Sequence, residues 1–263
     1  MSGIIDFHTH AFPDKLAEKA IPVLEKEGDC KANLDGKISS LLSAMDRCSI
    51  EKSVICSIAT KPSQFDSILS WSKEIASDRI IPFLSLHPAD PQWEEHIEAI
   101  KLEGFKGIKM HPYYQEFDLD ERRLFPIYEK IADEGLILLS HTGFDIAFPK
   151  DRKADPAKII NVLEAVPSLK LVASHLGAWD DWAEVERHMS GREVYMEISF
   201  SLELLNNADA RRIITSHPEG YILFGSDSPW TEQCAAIKRL QGLGLGESLE
   251  KRILRDNALS LLG

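Results

Sequence analysis

Four cysteines, Cys30, Cys48, Cys56 and Cys234, are scattered over 263 residues, and none falls in a C-x-x-C pair. That spacing argues against a thiolate zinc site, and the expectation is reduced packing thiols in a cytoplasmic protein. Long apolar runs are missing too: none approaches the roughly 18 residues needed to span a bilayer. The N-terminal residues lack the basic, apolar, small-residue succession of a secretory signal. Positive charge is in deficit, with 30 Lys and Arg against 42 Asp and Glu and a net charge of -12. An acidic surface disfavours nucleic acid and anionic membrane as partners. It leaves open a small anionic substrate, because a local pocket can still be basic. There is no low-complexity segment and no linker, so residues 1–263 read as one domain.

What the chain does have is a recurrence of short apolar strands between helices. Strands are expected near Ile4–His10, Ser53–Ile58, Ile80–Leu86, Phe105–Met110, Leu136–Ser140, Leu169–Ser174, Glu193–Ile198 and Tyr221–Gly225. Continuous apolar strands of this kind suit a parallel sheet covered on both faces. Helical stretches separate nearly all of them. Eight such units in about 250 residues predict an α/β fold, a single (β/α)8 TIM barrel.

In that fold the active site lies at the carboxyl ends of the strands. Polar residues recur there. His8 and His10 end the first strand, Lys109 and His111 the fourth, His141 the fifth, His175 the sixth and Asp227 the eighth. Simple alternation puts His8 and His10 on one face, with Asp6 one layer below them. Histidine nitrogens with a carboxylate at one mouth suit a divalent transition metal, zinc first. Phe12, Trp179 and Trp230 each follow a strand and are placed to wall a pocket; packing between loop and helix is the plainer alternative. Lys150, Arg152 and Lys153 lie in a long loop after His141. They either meet a substrate carboxylate or form a solvated basic run. His87 reads as a structural turn residue, and His96, His188 and His217 as surface residues.

The sequence resembles the amidohydrolase superfamily, in particular the branch that includes aminocarboxymuconate-semialdehyde decarboxylase. The resemblance rests on Asp6-Phe7-His8-Thr9-His10, Gly107-Ile108-Lys109-Met110-His111-Pro112, Ser140-His141-Thr142-Gly143, Ser174-His175-Leu176-Gly177 and Gly225-Ser226-Asp227-Ser228-Pro229-Trp230, in order along the chain. It implies His8, His10, His141 and Asp227 as metal ligands. It also implies Asp227 as proton acceptor for water and His175 as a catalytic contact to substrate or water. One divalent ion is expected, or two if Lys109 is carboxylated and bridging. Lys109 and His111 are read rather as substrate-binding or supporting residues, and Asp6 as support for a ligand histidine. A structural turn histidine is the alternative for His111.

The function this implies is hydrolysis of a small carbonyl, amide, ester or lactone by metal-activated water. Non-oxidative decarboxylation of a small carboxylic acid is the alternative at the same site. A metal-binding barrel without catalysis is the third reading. The partner in each enzymatic case is a small molecule, and a homo-oligomer stays open.

Overall fold

The computed structural model describes residues 3–263. Eight strands form one parallel sheet in chain order. They are β1 (Ile4–Thr9), β2 (Ile50–Cys56), β3 (Ile80–Ser85), β4 (Gly107–Met110), β5 (Ile137–Ser140), β6 (Lys170–Ala173), β7 (Tyr195–Glu197) and β8 (Ile222–Leu223). The sheet closes between β8 and β1 through an isolated parallel bridge, Thr9 to Ser228. Around this seam Phe7 N–H donates to Phe224 O at 2.8 Å, Asp227 N–H to His8 O at 2.8 Å and His10 N–H to Ser228 O at 2.6 Å. The result is the expected (β/α)8 barrel, with every strand shorter than the apolar run that encodes it except β2, which starts three residues before its expected Ser53.

The crossovers include α1 (Asp14–Glu27) and α2 (Ile38–Arg47) before β2, then α3 (Phe65–Ile75), α4 (Trp93–Leu102), α5 (Phe125–Asp133), α6 (Pro156–Ala165), α7 (Trp182–His188) and α8 (Asn207–Thr215) before β3 to β8 respectively. After β8 come α9 (Gln233–Gly242), α10 (Glu247–Lys251), a π-helical turn (Arg252–Asp256) and α11 (Asn257–Leu262). The sequence pattern predicts one unbroken helix over 246–262; the π turn interrupts it. Asp155 caps α6 by accepting from Ala157 N–H and Lys158 N–H, with Pro156 at the first helical position. Both are ordinary helix-start signals.

Strand alternation divides the apolar residues into two cores. Ile55, Leu84, Ile108, Leu138, Leu171 and Met196 pack outward against the helices. Ile5, Phe7, Val54, Phe83, Leu139 and Val172 fill the barrel, and Ala258 and Leu261 of α11 join them. At about 25 cal/mol per Å² of apolar surface, these two layers supply the main stabilising term, and the inner one floors the mouth.

β1 departs from simple alternation. Asp6 pairs with Ser53 but Thr9 with Ile55, so β1 holds one residue more than its partner across that step. A bulge of this kind turns side chains out of sequence. Phe7 faces the inner core, and His8 next to it also reaches the mouth. Asp6 is instead turned toward α9, where Gln233 Nε2 donates to it at 2.8 Å. Alternation alone places Asp6 beneath the histidines; the extra residue brings His8 to the mouth and leaves Asp6 behind it.

Two further differences concern single residues. Cys48 and Cys234 are joined in a disulfide between the end of α2 and α9, with Cα atoms 5.1 Å apart. Of the four cysteines expected to be reduced, only Cys30 and Cys56 are free. Disulfides of this kind are rare in the cytosol, so cysteine usage no longer supports a cytoplasmic location. His217 is buried, not on the surface, and its Nε2–H donates to Val194 O at 2.7 Å. Among the described residues no helix is long and apolar enough to cross a membrane.

Candidate active site

His8 and His10 enter the mouth from β1, and each has one ring nitrogen committed. His8 Nδ1 lies 2.8 Å from Glu197 Oε1. His10 Nδ1 lies 2.8 Å from Cys56 O. An acceptor at that distance fixes the proton on Nδ1 and leaves a lone pair on Nε2. The two Nε2 atoms are 3.2 Å apart. Asp227 Oδ1 lies 3.1 Å from His10 Nε2 and 3.6 Å from His8 Nε2. Two nitrogen lone pairs and a carboxylate oxygen thus converge on one point.

His141 and His175 repeat the arrangement. His141 Nε2–H donates to Phe144 O at 2.9 Å, which frees Nδ1. His175 Nδ1–H donates to Ser199 O at 3.0 Å, which frees Nε2. Those free nitrogens face each other at 3.1 Å. Lone pairs at such distances repel unless a cation or a proton lies between them. Burial holds His8, His111 and His141 neutral, well below the usual imidazole range, and nearby positive groups add to the effect. A divalent ion therefore fits the donor set, which is the nitrogen and oxygen chemistry such ions prefer.

The candidate donor atoms are not equally close. His8, His10 and Asp227 bring theirs within 4.8 Å of one another, whereas His141 falls in a second group with His111 and Asp145. Asp227 is turned into position by a left-handed backbone, φ 62°, and His175 by φ 57°. Such conformations cost energy in non-glycine residues and concentrate at functional sites. Burial alone would raise the Asp227 carboxyl, but positive charge at the His8 and His10 Nε2 atoms beside it, a proton or an ion, outweighs that and holds it well below the usual carboxylate range. An ionised Asp227 beside neutral rings therefore calls for a cation between them.

The remaining expected residues take different positions. Lys109 is buried, with Nζ 3.1 Å from His8 Nε2, and burial lowers its pKa. His111 stacks on His141 with ring centroids 4.2 Å apart. Phe12, Trp179 and Trp230 all line the cavity above the cluster. Asp6 touches no imidazole ring. It accepts from Ser226 N–H at 2.9 Å and Ser226 Oγ–H at 2.6 Å, and so anchors the turn before Asp227. Burial pushes its carboxyl up to about 7. Lys150 and Arg152 are paired with Asp180 and Asp181, so the basic loop is tied to the protein's own carboxylates.

Two carboxylates escape a reading by strand ends. Glu197, fully buried in β7, receives four donors: His8 Nδ1–H, His175 N–H, Ser199 Oγ–H and Ser199 N–H. It fixes the His8 tautomer and the backbone of His175 together. Gly225 makes room for it, because a Cβ there would stand 2.3 Å from Glu197 Oε2 and 3.0 Å from His8 Cβ. Asp145, in the loop after β5, places Oδ2 3.4 Å from His111 Nε2 and 3.6 Å from His141 Nε2. Burial raises it to about 6. The available signal for Glu197 is a lone carboxylate inside a short apolar strand; Asp145 offers none.

Barrel and site together define a TIM-barrel enzyme class with a metal-competent mouth. A sequence profile of the Amidohydrolase family matches residues 5–263, and the chain belongs to that family of enzymes. Among solved structures, an uncharacterised TIM-barrel protein from Bordetella bronchiseptica superposes with a TM-score of 0.77 at 19% identity, covering 99% of this chain and 98% of that one. A 2,6-dihydroxybenzoate decarboxylase from Rhizobium superposes at 0.71 with 15% identity, over 100% and 99%. A dihydroorotase from Marinomonas sp. (strain MWYL1) is 24% identical over 154 residues, 53% of this chain. That match spans 45% of the dihydroorotase, less than half its length.

Proposed function

We propose that the protein is a metal-dependent hydrolase of a small ester, lactone or amide. The observation that carries this is the convergence of unprotonated donors from His8, His10 and Asp227, with every second imidazole nitrogen already committed. His8, His10 and Asp227 would hold one ion, zinc first, and His141 would complete the set through Nδ1. Such an ion supplies an acidified water and a Lewis acid for the carbonyl.

The chain's own residues supply the rest. Asp227, held ionised, accepts a proton from the attacking water. His175 presents Nε2 to the substrate; on taking over the proton that Asp227 accepted from the water, it donates that proton to the leaving group, which returns Asp227 to its ionised form. Glu197 and Ser199 hold His8 and His175 so that neither ring turns. Lys109 offers an amine beside His8, which supports that ring and the substrate end next to it. Non-oxidative decarboxylation uses the same residues on a carboxylate, and the fold likeness to the Rhizobium decarboxylase keeps it as the second reading. The whole chain, 1–263, serves as one amidohydrolase-like domain in either case.

The test is metal content followed by turnover. Protein purified without added metal should carry about one equivalent of a transition metal, and His8→Ala should lose it. The metal-loaded enzyme should turn over a member of an ester, lactone and amide panel, and Asp227→Asn should abolish that. Carbon dioxide release without water incorporation would select decarboxylation. Full activity in Asp227→Asn, or no metal after reconstitution, would refute both.

A further inference from the structure

The cavity above the ligand cluster has a volume of about 430 Å³ and two unlike ends. The inner end carries the histidines, Lys109, Asp145 and Asp227. The outer end is mostly aromatic and aliphatic, and its polar residues, Thr60, Gln64 and Ser67, are uncharged. Phe12, Trp71, Tyr114, Trp179, Phe200 and Trp230 form its walls. Leu24 and Ile68 continue them, and Leu16 and Ile146 form the rim at 50% and 49% exposure. Apolar side chains left that exposed around a cavity are spent on a ligand rather than on the core.

Charge is distributed just as unevenly. Among the described residues no arginine lines the cavity, and its one lysine is Lys109, at the inner end beside His8. In the basic loop after β5, none of whose cations lines the cavity, Lys150 and Arg152 are paired with Asp180 and Asp181. Sites that accept a carboxylate use Arg or Lys in matched geometry. The outer end offers none, and the other charged groups of the lining, Asp145 and Asp227, have the wrong sign.

We infer that the substrate carries its reactive group at one end of an uncharged apolar body, aryl or long alkyl, and that a second anionic group on that body is excluded. This rests on the metal-site reading only for which end reacts. An anion at the inner end could be met by the ion, but one at the outer end would exchange water for neutral groups such as Thr60, Gln64, Ser67 and the Trp179 indole N–H, with no cation to balance its charge. Substrates bearing two or more carboxylates are therefore outside the class.

The experiment compares 2-naphthoate with 2,6-naphthalenedicarboxylate by calorimetric titration of the zinc-loaded protein. Both present the same head group, so the difference reports on the outer end alone. The dicarboxylate should bind at least fivefold more weakly. Leu16→Arg, which sets a cation at the rim, should narrow the difference. A wild-type difference below fivefold, no binding of 2-naphthoate, or a Leu16→Arg protein with an unchanged difference would each overturn the inference. These binding constants do not depend on turnover, so a failed hydrolase assay would refute the reaction and leave the substrate body standing.

Discussion

Replacing Glu197 by Gln should weaken metal binding without unfolding the barrel. Glu197 Oε1 takes three donors, from His8 Nδ1, His175 N and Ser199 Oγ, and Oε2 takes Ser199 N–H at 2.6 Å. Glutamine keeps one oxygen. With that oxygen in the Oε1 position, its NH2 faces the Ser199 N–H, so one buried donor is left without an acceptor. That costs roughly 1–3 kcal/mol of metal-free stability. The bond to His8 also becomes a neutral one, and the ring loses its negative partner. Removing such a support behind a ligand histidine costs about 10–100-fold in metal affinity, or roughly 1.4–2.7 kcal/mol. The assay is competition for zinc against a chromophoric chelator, with circular dichroism melting of the metal-free protein as control. A folded Glu197→Gln protein whose zinc affinity stays within twofold of wild type would refute the role given to Glu197.

Gly225→Ala should mimic that defect, because the new Cβ meets Glu197 Oε2 and His8 Cβ; zinc affinity should fall in the same competition assay while the helical spectrum stays intact. His217 is held neutral by burial, its pKa below the usual imidazole value. The unfolded chain then binds a proton that the native state does not, so stability is complete above about pH 6.5 and declines as pH falls. In His217→Gln the acid limb of a urea-denaturation series should flatten, and an unchanged limb would contradict the assignment. Unreduced protein in denaturant should titrate two thiols, Cys30 and Cys56. Cys234→Ser should lower stability by up to about 5 kcal/mol on the chain-entropy estimate for so long a loop, and four titratable thiols in wild type would exclude the link.

The barrel was legible because each strand is an apolar run ended by a turn residue. Each of His8, His141, His175 and Asp227 stands just past such a run, where the fold exposes strand ends to the mouth. What stayed hidden depended on register or on distance. Asp6 alternates regularly with the inward-facing Ile5 and Phe7 and so meets Ser226 and Gln233; the extra residue between Asp6 and Thr9 brings His8 to the mouth instead, off the face it would share with Asp6. Glu197 looks like part of an apolar strand until Gly225 and Ser199 are seen around it. Asp145 sits in an irregular loop after β5, where no strand or helix period fixes the direction of a side chain. Cys48 and Cys234 are 186 residues apart, and no spacing rule reaches that far. His217 follows a helix, where exposure is the usual outcome, yet the ring tucks under Val194.

The seam between β8 and β1 gives the site a second meaning. His8 and His10 stand on one side of it and Asp227 on the other, more than 200 residues apart along the chain. Outside the ordinary strand ladder, the seam is closed by a few backbone hydrogen bonds and the Asp6 anchor. On the proposed ligand set, an ion gripped from both sides would act as the clasp of a necklace: the last link, joining the two ends of the string. Its removal would loosen the ring at its join before any bead is disturbed. Amide exchange at Phe7, His10 and Asp227 should therefore quicken first when the protein is treated with a chelator. Metal occupancy would then set how firmly the whole ring is shut.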